Sequence, residues 1–363
     1  MFPFRQVLAL ITLSLASVAC APDELVLGDR TWSGDNLEIW TTDDAVFCGG
    51  SFQALDRHAS AVASWAEERG VPTRTERYRY YWASAAEFEA AEACKKSSVA
   101  CFYSDREAVY AHGFFPHEIV HAEFASGHSS FVDEGMATLL GGLRFRQVPD
   151  DVDIPRLIDD TAGETLGIGN YEVAAKFMRA TAELDPEGFL PASMTTRRDD
   201  GFESFAPKLS VDVRDAVDFD AAHRECWFDA VRIPISECSA PPLPWSTPEL
   251  WEASGVVDCT NEATVGPNLD SDIWVTLPFD VPESGRYTLS FDGDAYVRLL
   301  RCDAGFCGEI GPWDVEGLGV YLLSGLDGYR ELIAGRYWFE VRRELGDTHS
   351  GEFSLSVVPG WDE

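Results

Sequence analysis

Residues 114–124 read Phe114-Phe115-Pro116-His117-Glu118-Ile119-Val120-His121-Ala122-Glu123-Phe124. Pro116 suits the first turn of a helix, where its missing N–H costs nothing, so the reading predicts a helix over Pro116–Ala125. A spacing of four puts His117 and His121 on one face of that helix, one turn apart. Two imidazoles so placed can grip one Zn²⁺ ion, with Glu118 beside the water such an ion would hold. The chain has only seven histidines in 363 residues. A chance H-E-x-x-H in it is on the order of one in a hundred, so a surface helix with two ordinary histidines is the weaker reading.

A zinc ion needs a further protein ligand. His128 would serve only in H-E-x-x-H-x-x-G-x-x-H, which requires Gly at 124 and His at 127; those positions hold Phe124 and Gly127. Glu134 lies 13 residues after His121 on a second predicted helix, Ser130–Leu140. It stands within Phe131-Val132-Asp133-Glu134-Gly135-Met136-Ala137. This segment resembles the [W/F]-x-x-E-G-x-A segment of the gluzincins, the thermolysin-like and aminopeptidase-like zinc peptidases, and most closely their compact peptidase MA-like branch. The resemblance covers about residues 75–225, with its specific motifs at 117–121 and 131–138.

The resemblance implies that the second helix packs on the first and that Glu134 completes a Zn²⁺ site with His117 and His121. The small Gly135 and Ala137 would permit that approach, and Asp133 is the alternative ligand. It also implies that Glu118 acts as general base, taking a proton as water attacks a peptide carbonyl and returning it to the leaving amine. An extra donor to the developing oxyanion is expected. Tyr171, opening a predicted helix over Tyr171–Glu183, is the first choice, and His223 the rival. The strand Ala108–Ala111 (AVYA) matches the edge strand that pairs with extended substrate in this family. Ala108, Val109, Tyr110 and Ala111 are therefore expected to bind substrate. His112 would lie at the end of that strand near the cleft, though a lone His there reads first as a surface residue.

Upstream, a strand is predicted at Leu37–Thr42, a helix over Ser51–Arg69 ending at Gly70, an aromatic strand at Arg77–Trp82 and a helix at Ala85–Ala93. Residues 1–19 have the form of a signal peptide, with Arg5 ahead of an apolar run from Val7 to Ala16. Ser17-Val18-Ala19-Cys20 resembles a bacterial lipobox, with Cys20 as the lipidated residue. Setting Cys20 aside leaves eight of the nine cysteines, an even number in an exported chain, which implies disulfides. Cys94 with Cys101 and Cys302 with Cys307 are the expected local bridges. Cys48, Cys226, Cys238 and Cys259 are left without assigned partners.

Downstream, Val213–Arg224 is predicted helical, and five prolines between Pro234 and Pro248 mark a linker. Alternating runs follow at 273–279, 286–291, 296–301, 336–342 and 353–358, the texture of an antiparallel β-sandwich. Residues 279–291 and 334–341 resemble bacterial pre-peptidase C-terminal domains, in which exposed aromatics such as Trp313 or Trp338 could bind polymer.

The formal net charge is −34, which argues against nucleic acid or an anionic lipid surface as partner. The expected fold is α+β: a zincin-like metallopeptidase domain followed by a small antiparallel β-sandwich. The bounds are 1–19 signal peptide, 20–45 tether and first strand, 46–232 peptidase domain, 233–256 linker and 257–363 sandwich. The expected function is an exported zinc metallopeptidase with a polypeptide substrate. An endopeptidase is expected ahead of an aminopeptidase, because no acidic amine-binding motif such as G-x-M-E-N is present. Lipid at Cys20 would hold it at the cell envelope; if ordinary signal peptidase cuts there, it is secreted. The alternative is a catalytically inactive adhesion lipoprotein on a peptidase-derived scaffold; retention of Glu118 favours the enzyme, since zinc binding does not need it.

Overall fold

The run Tyr78-Arg79-Tyr80-Tyr81-Trp82 explains the first layer. Alternate residues of a strand face opposite sides, and here both sides carry aromatic rings, so the strand must be covered twice. The computed structural model describes residues 26–94, 98–104, 107–124, 127–142, 152–222, 233–268, 271–302, 320–322, 328–348 and 350–360. In it β1 (Asp29–Ser33), β2 (Leu37–Thr41), β3 (Tyr78–Trp82), β4 (Ala100–Tyr103) and β5 (Ala108–Ala111) form one sheet in the order β1-β2-β3-β5-β4. The β2–β3 and β3–β5 pairs are parallel; the β1–β2 and β4–β5 pairs at the two margins are antiparallel.

One face of this sheet, with Ile39, Tyr80, Trp82 and Val109, packs on α1 (Ser51–Glu67) and α3 (Pro116–Phe124) through Phe52, Leu55 and Ile119. The other face carries Tyr81 stacked on Tyr110, ring centroids 4.8 Å apart, under α2 (Ala85–Ala90) and its Phe88. The Cys94–Cys101 disulfide closes that second layer, as the sequence predicts. Beyond the sheet lies a helical half: α4 (Ser130–Gly141), α5 (Ile154–Thr161), α6 (Tyr171–Leu184), α7 (Phe189–Ser193), α8 (Phe202–Phe205) and α9 (Val213–Ala222). Their shared core contains Phe131, Met136, Leu140, Phe177, Met178 and Phe205.

After α10 (Ile235–Ser239), eight strands make two antiparallel four-stranded sheets. These are β6 (Trp251–Val256), β7 (Asp272–Val281), β8 (Gly285–Gly293), β9 (Tyr296–Arg301), β10 (Val320–Leu322), β11 (Gly328–Leu332), β12 (Gly335–Glu344) and β13 (Glu352–Pro359). The orders are β10-β9-β12-β7 and β11-β8-β13-β6. Inward residues of both sheets share one core, centred on Trp251, Phe279 and Phe339, whose ring centroids lie 4.6 to 5.4 Å apart. Burying each such ring contributes about 2–3 kcal/mol.

Several expectations change. The strand Ala108–Ala111 is not an edge: β4 pairs along its outer side, and Ala108, Val109, Tyr110 and Ala111 are all buried. They form core, not a substrate surface. β4 escapes a pattern reading because it is four residues long and carries Cys101 of a disulfide. Cys302 bonds to Cys238 rather than to the nearby Cys307. Arg336 accounts for this: its guanidinium donates to the carbonyls of Cys238 and Ala240 while its own carbonyl accepts from the N–H of Cys302. Cys48, left unassigned above, pairs with Cys259. β6 falls inside the stretch expected to be linker, because Trp251 belongs to the sandwich core. Trp338 is buried rather than displayed. Cys20, His223, Cys226, Cys307 and Trp313 lie outside the described residues.

One joint between the sandwich and the first half runs through Cys48. Besides the Cys48–Cys259 bridge, Gly49 N–H donates to Cys259 O at 3.0 Å and Gly50 N–H to Thr264 O at 2.9 Å. Ser51 Oγ donates to Gly266 O at 2.8 Å and accepts from Gly266 N–H. The same segment reaches the β5–α3 loop, where Phe114 N–H donates to Pro267 O and the Phe114 ring meets Trp274 edge-on at 5.3 Å. Three disulfides among the described residues are those of an oxidising environment. No helix among those residues is long and apolar enough to cross a membrane.

α3 also buries Glu123 against the sheet. Its Oε1 accepts from the Tyr78 hydroxyl at 3.2 Å, whereas Oε2 is buried without a hydrogen-bond partner. Desolvation pushes this carboxyl up to about 7, against the smaller opposing effects of Tyr78 and Arg74. An acid with a raised folded-state pKa binds more protons folded than unfolded, so its contribution is complete below about pH 4.5 and is lost as pH rises to about 7. Glu123→Gln should therefore stabilise the chain at pH 8 by about 1–3 kcal/mol and change little at pH 4. Denaturant unfolding at the two pH values checks this; equal effects at both would contradict it.

Candidate metal centre

Three helices build the site. α3 projects His117 and His121 from one face, α4 lies across it and supplies Glu134, and the first residue of α6 is Tyr171. His117 Nε2 lies 3.1 Å from Glu134 Oε2, His121 Nε2 lies 3.4 Å from the same oxygen, and the two imidazole nitrogens are 3.2 Å apart. One donor atom from each of the three residues thus falls within a single small cluster. A tetrahedral zinc ion with bonds of about 2.0 Å would hold its ligand atoms about 3.3 Å apart. The observed separations and the N, N, O donor set fit that ion. Asp133 is not in the cluster.

Close approach of the helices depends on two glycines of α4. A Cβ at Gly135 would lie 3.1 Å from the Ala174 backbone and 3.0 Å from Met178 Cγ of α6. A Cβ at Gly141 would lie only 2.5 Å from His117 Cα, where neither backbone can yield. Gly135 therefore seats α6, and with it Tyr171, while Gly141 seats the start of α3.

The electrostatics follow from burial beside charge. Burial disfavours the protonated form of His121, but the Glu134 carboxylate and its hydrogen bond outweigh this and lift the imidazole to about 9. Burial likewise disfavours ionised Glu134, yet His121 and His117 hold it well below the usual carboxylate range. Glu118 is buried, and desolvation raises its pKa against the opposing pull of both histidines. Its carboxylate also accepts a hydrogen bond from the Phe102 backbone. The β4 register explains that contact. His112 N–H donates to Val99 O, so the pairs that bond across β4–β5 are those of Val99, Cys101 and Tyr103, and Phe102 N–H points away from β5.

Tyr171 stacks on His117, ring centroids 5.6 Å apart and planes 4° from parallel. Burial, together with the Glu134 carboxylate to which it is hydrogen-bonded, raises its pKa. The structure thus brings together His117, Glu118, His121, Glu134 and Tyr171. It separates His112, which packs edge-on against Phe88 on the sheet face opposite α3. Sequence reasoning did not find Phe102, Thr138 or Gly141. Thr138 Oγ1 lies 3.5 Å from His117 Nδ1. Glu134, Thr138 and Gly141 stand at i, i+4 and i+7, one stripe of α4, and that stripe was the available signal. A cavity of about 630 Å³ lies between α1, α10 and the outer face of β7, β12 and β9; of these site residues His117 and Gly141 line it.

No protein-family model matches the chain, and no curated protein matches it. Among solved structures, 27% of the chain is similar to a Paenibacillus sp. cycloisomaltooligosaccharide glucanotransferase complexed with cycloisomaltoheptaose, at 21% identity and a TM-score of 0.15. The match spans 16% of that chain, and a likeness at this level bears on neither fold nor chemistry.

Proposed function

We propose that this chain is an exported zinc-dependent peptidase of the gluzincin type, with a zincin-like domain that hydrolyses internal peptide bonds. The observation that carries the reading is the His117, His121 and Glu134 cluster with the buried Glu118 carboxylate on the same helix. A zinc ion held by those three residues supplies a water acidified toward neutrality and a Lewis-acid contact for a carbonyl oxygen. Glu118 is the proton carrier: burial makes its carboxylate a better base, and the Phe102 N–H holds it in place. It takes the proton of the attacking water and delivers it to the leaving amine. Tyr171 donates its O–H toward the oxyanion; its raised pKa keeps it protonated at neutral pH. Among the described residues no strand pairs with the outer side of β4, and the substrate backbone pairs there through Ala100 and the Phe102 carbonyl, the Phe102 N–H being taken by Glu118. The absence of an acidic amine-binding motif such as G-x-M-E-N favours an endopeptidase. Cys20 carries a lipid that ties the enzyme to a bacterial envelope surface.

The test is metal content by mass spectrometry on chain expressed from residue 21, with hydrolysis of an unstructured protein followed in parallel. About one zinc per chain, lost together with hydrolysis in Glu134→Ala, is the expected result. Native chain that takes up no zinc when zinc is supplied would end this reading.

A further inference from the structure

We propose that the cavity between α1, α10 and the outer face of β7, β12 and β9 is a second binding site. It takes a free peptide of two or three residues with apolar side chains, the carboxylate on Arg57 and the ammonium on Glu262. The inference goes beyond the zinc reading and does not depend on it, since Glu118, His121, Glu134 and Tyr171 form no part of these walls.

The volume of about 630 Å³ falls within the range of about 300–1,000 Å³ usual for small-ligand sites. One wall is apolar: Phe115, Val265 and Pro278 are buried there, and the Phe114 ring meets Trp274 edge-on at 5.3 Å. Most charged groups of the lining already have partners. Arg298 and Glu340, both buried, form a two-pronged pair at 2.8 and 3.0 Å. Arg342 lies 3.2 Å from Asp272, and the Glu237 carboxylate accepts from Ser236 Oγ at 3.0 Å. The side chains of Arg57 and Glu262 make no hydrogen bond or ion pair among the described residues. Asp56, beside Arg57 in sequence, commits its carboxylate to the N–H groups of Asp35, Asn36 and Leu37. Burial lowers the Arg57 pKa against the pull of Asp56, as expected of a guanidinium partly withdrawn from water with no carboxylate in contact.

The helix sets the distance between the two charges. Gly50, Gln53 and Arg57 stand at i, i+3 and i+7, one stripe of α1. Glu262 lies over the first of them: a Cβ at Gly50 would meet Glu262 O at 2.5 Å. At a rise of about 1.5 Å per residue, the backbone anchors of Glu262 and Arg57 are about 10 Å apart. An extended peptide covers about 3.4 Å per residue, so a single amino acid is too short and two or three residues fit. One unanswered cation and one unanswered anion call for a ligand with a charge of each sign at its two ends; a simple acid would satisfy Arg57 and be repelled by Glu262. Between the two, the Gln53 amide and the Thr276 hydroxyl have no hydrogen-bond partners among the described residues, and both can bond to a peptide group. The apolar wall receives the ligand's side chains.

The test is calorimetric titration of the chain from residue 21, stripped of metal by a chelator that is then dialysed away. No metal can then hold a carboxylate, and no zinc-dependent hydrolysis consumes the probe. The probes are leucyl-phenylalanine, its N-acetyl form without the ammonium, its amide without the carboxylate, and glycyl-glycine without apolar side chains. Leucyl-phenylalanine should bind with a Kd of about 10 μM to 1 mM, and each of the other three about tenfold more weakly or worse. Arg57→Gln should weaken the dipeptide about tenfold and leave its amide within about threefold of the native value. Glu262→Gln should weaken the dipeptide about tenfold and spare the N-acetyl form in the same way. Absence of dipeptide binding, equal binding of the dipeptide and its amide, or dipeptide binding unchanged in either variant overturns this inference. Each of those results leaves the metal centre standing, because no metal is present. Should a variant fail to fold, the four probes on the native chain decide the matter.

Discussion

Glu118→Gln should bind zinc as the native chain does and hydrolyse protein substrates about 10²- to 10⁴-fold more slowly. The expectation comes from where Glu118 stands. It is on α3 between the two histidines in sequence, yet outside the three-residue cluster, so its charge is not needed to hold the ion. Gln preserves the volume and can still accept from the Phe102 N–H that fixes the native side chain. What it lacks is a basic oxygen that can take a proton. Metal content and single-substrate kinetics on the same preparation check both halves. Turnover at the native rate would remove Glu118 from the mechanism.

The second large effect concerns the joint between the two halves. Replacing Cys48 and Cys259 together by Ser opens a loop spanning 211 positions. Chain entropy alone assigns such a crosslink about 5 kcal/mol, and native bridges deliver about 2–5 kcal/mol. The double variant should lose stability in that range in urea unfolding. Its zinc affinity should fall as well, because the segment released from Cys48 also carries Pro267 and Trp274, which hold the loop leading into His117. Unchanged zinc binding with reduced stability would show that the backbone hydrogen bonds at Gly49, Gly50 and Ser51 suffice to keep that loop placed.

The site was more legible in the sequence than the frame around it. H-E-x-x-H and E-G-x-A encode local geometry: a four-residue spacing on one helix, and small residues where helices touch. His117, His121 and Glu134 meet as those spacings require, while the place of Tyr171 against His117 comes from the packing of α6. The margins of the sheet were less readable. β4 is too short for alternation to register, and its role depends on a register set by β5. Cys238 meets Cys302 because Arg336 gathers two distant segments, which no local spacing encodes. Thr138 was passed over because a threonine inside a helix has no signature until the imidazole facing it is known.

A chain threaded N-terminus first into an oxidising compartment presents Cys48 long before its partner. Cys94 and Cys101 follow it within tens of residues, whereas Cys259 arrives 211 positions later. Cys94, Cys101, Cys226 and Cys238 all precede Cys259, so the partners that Cys48 meets first are the wrong ones. Correct closure requires Cys94 and Cys101 to find each other first, or a thiol exchange that undoes an early mistake over seconds to hours. Closure of the Cys48–Cys259 joint therefore waits on delivery of the sandwich, whose arrival is the checkpoint for the half that precedes it.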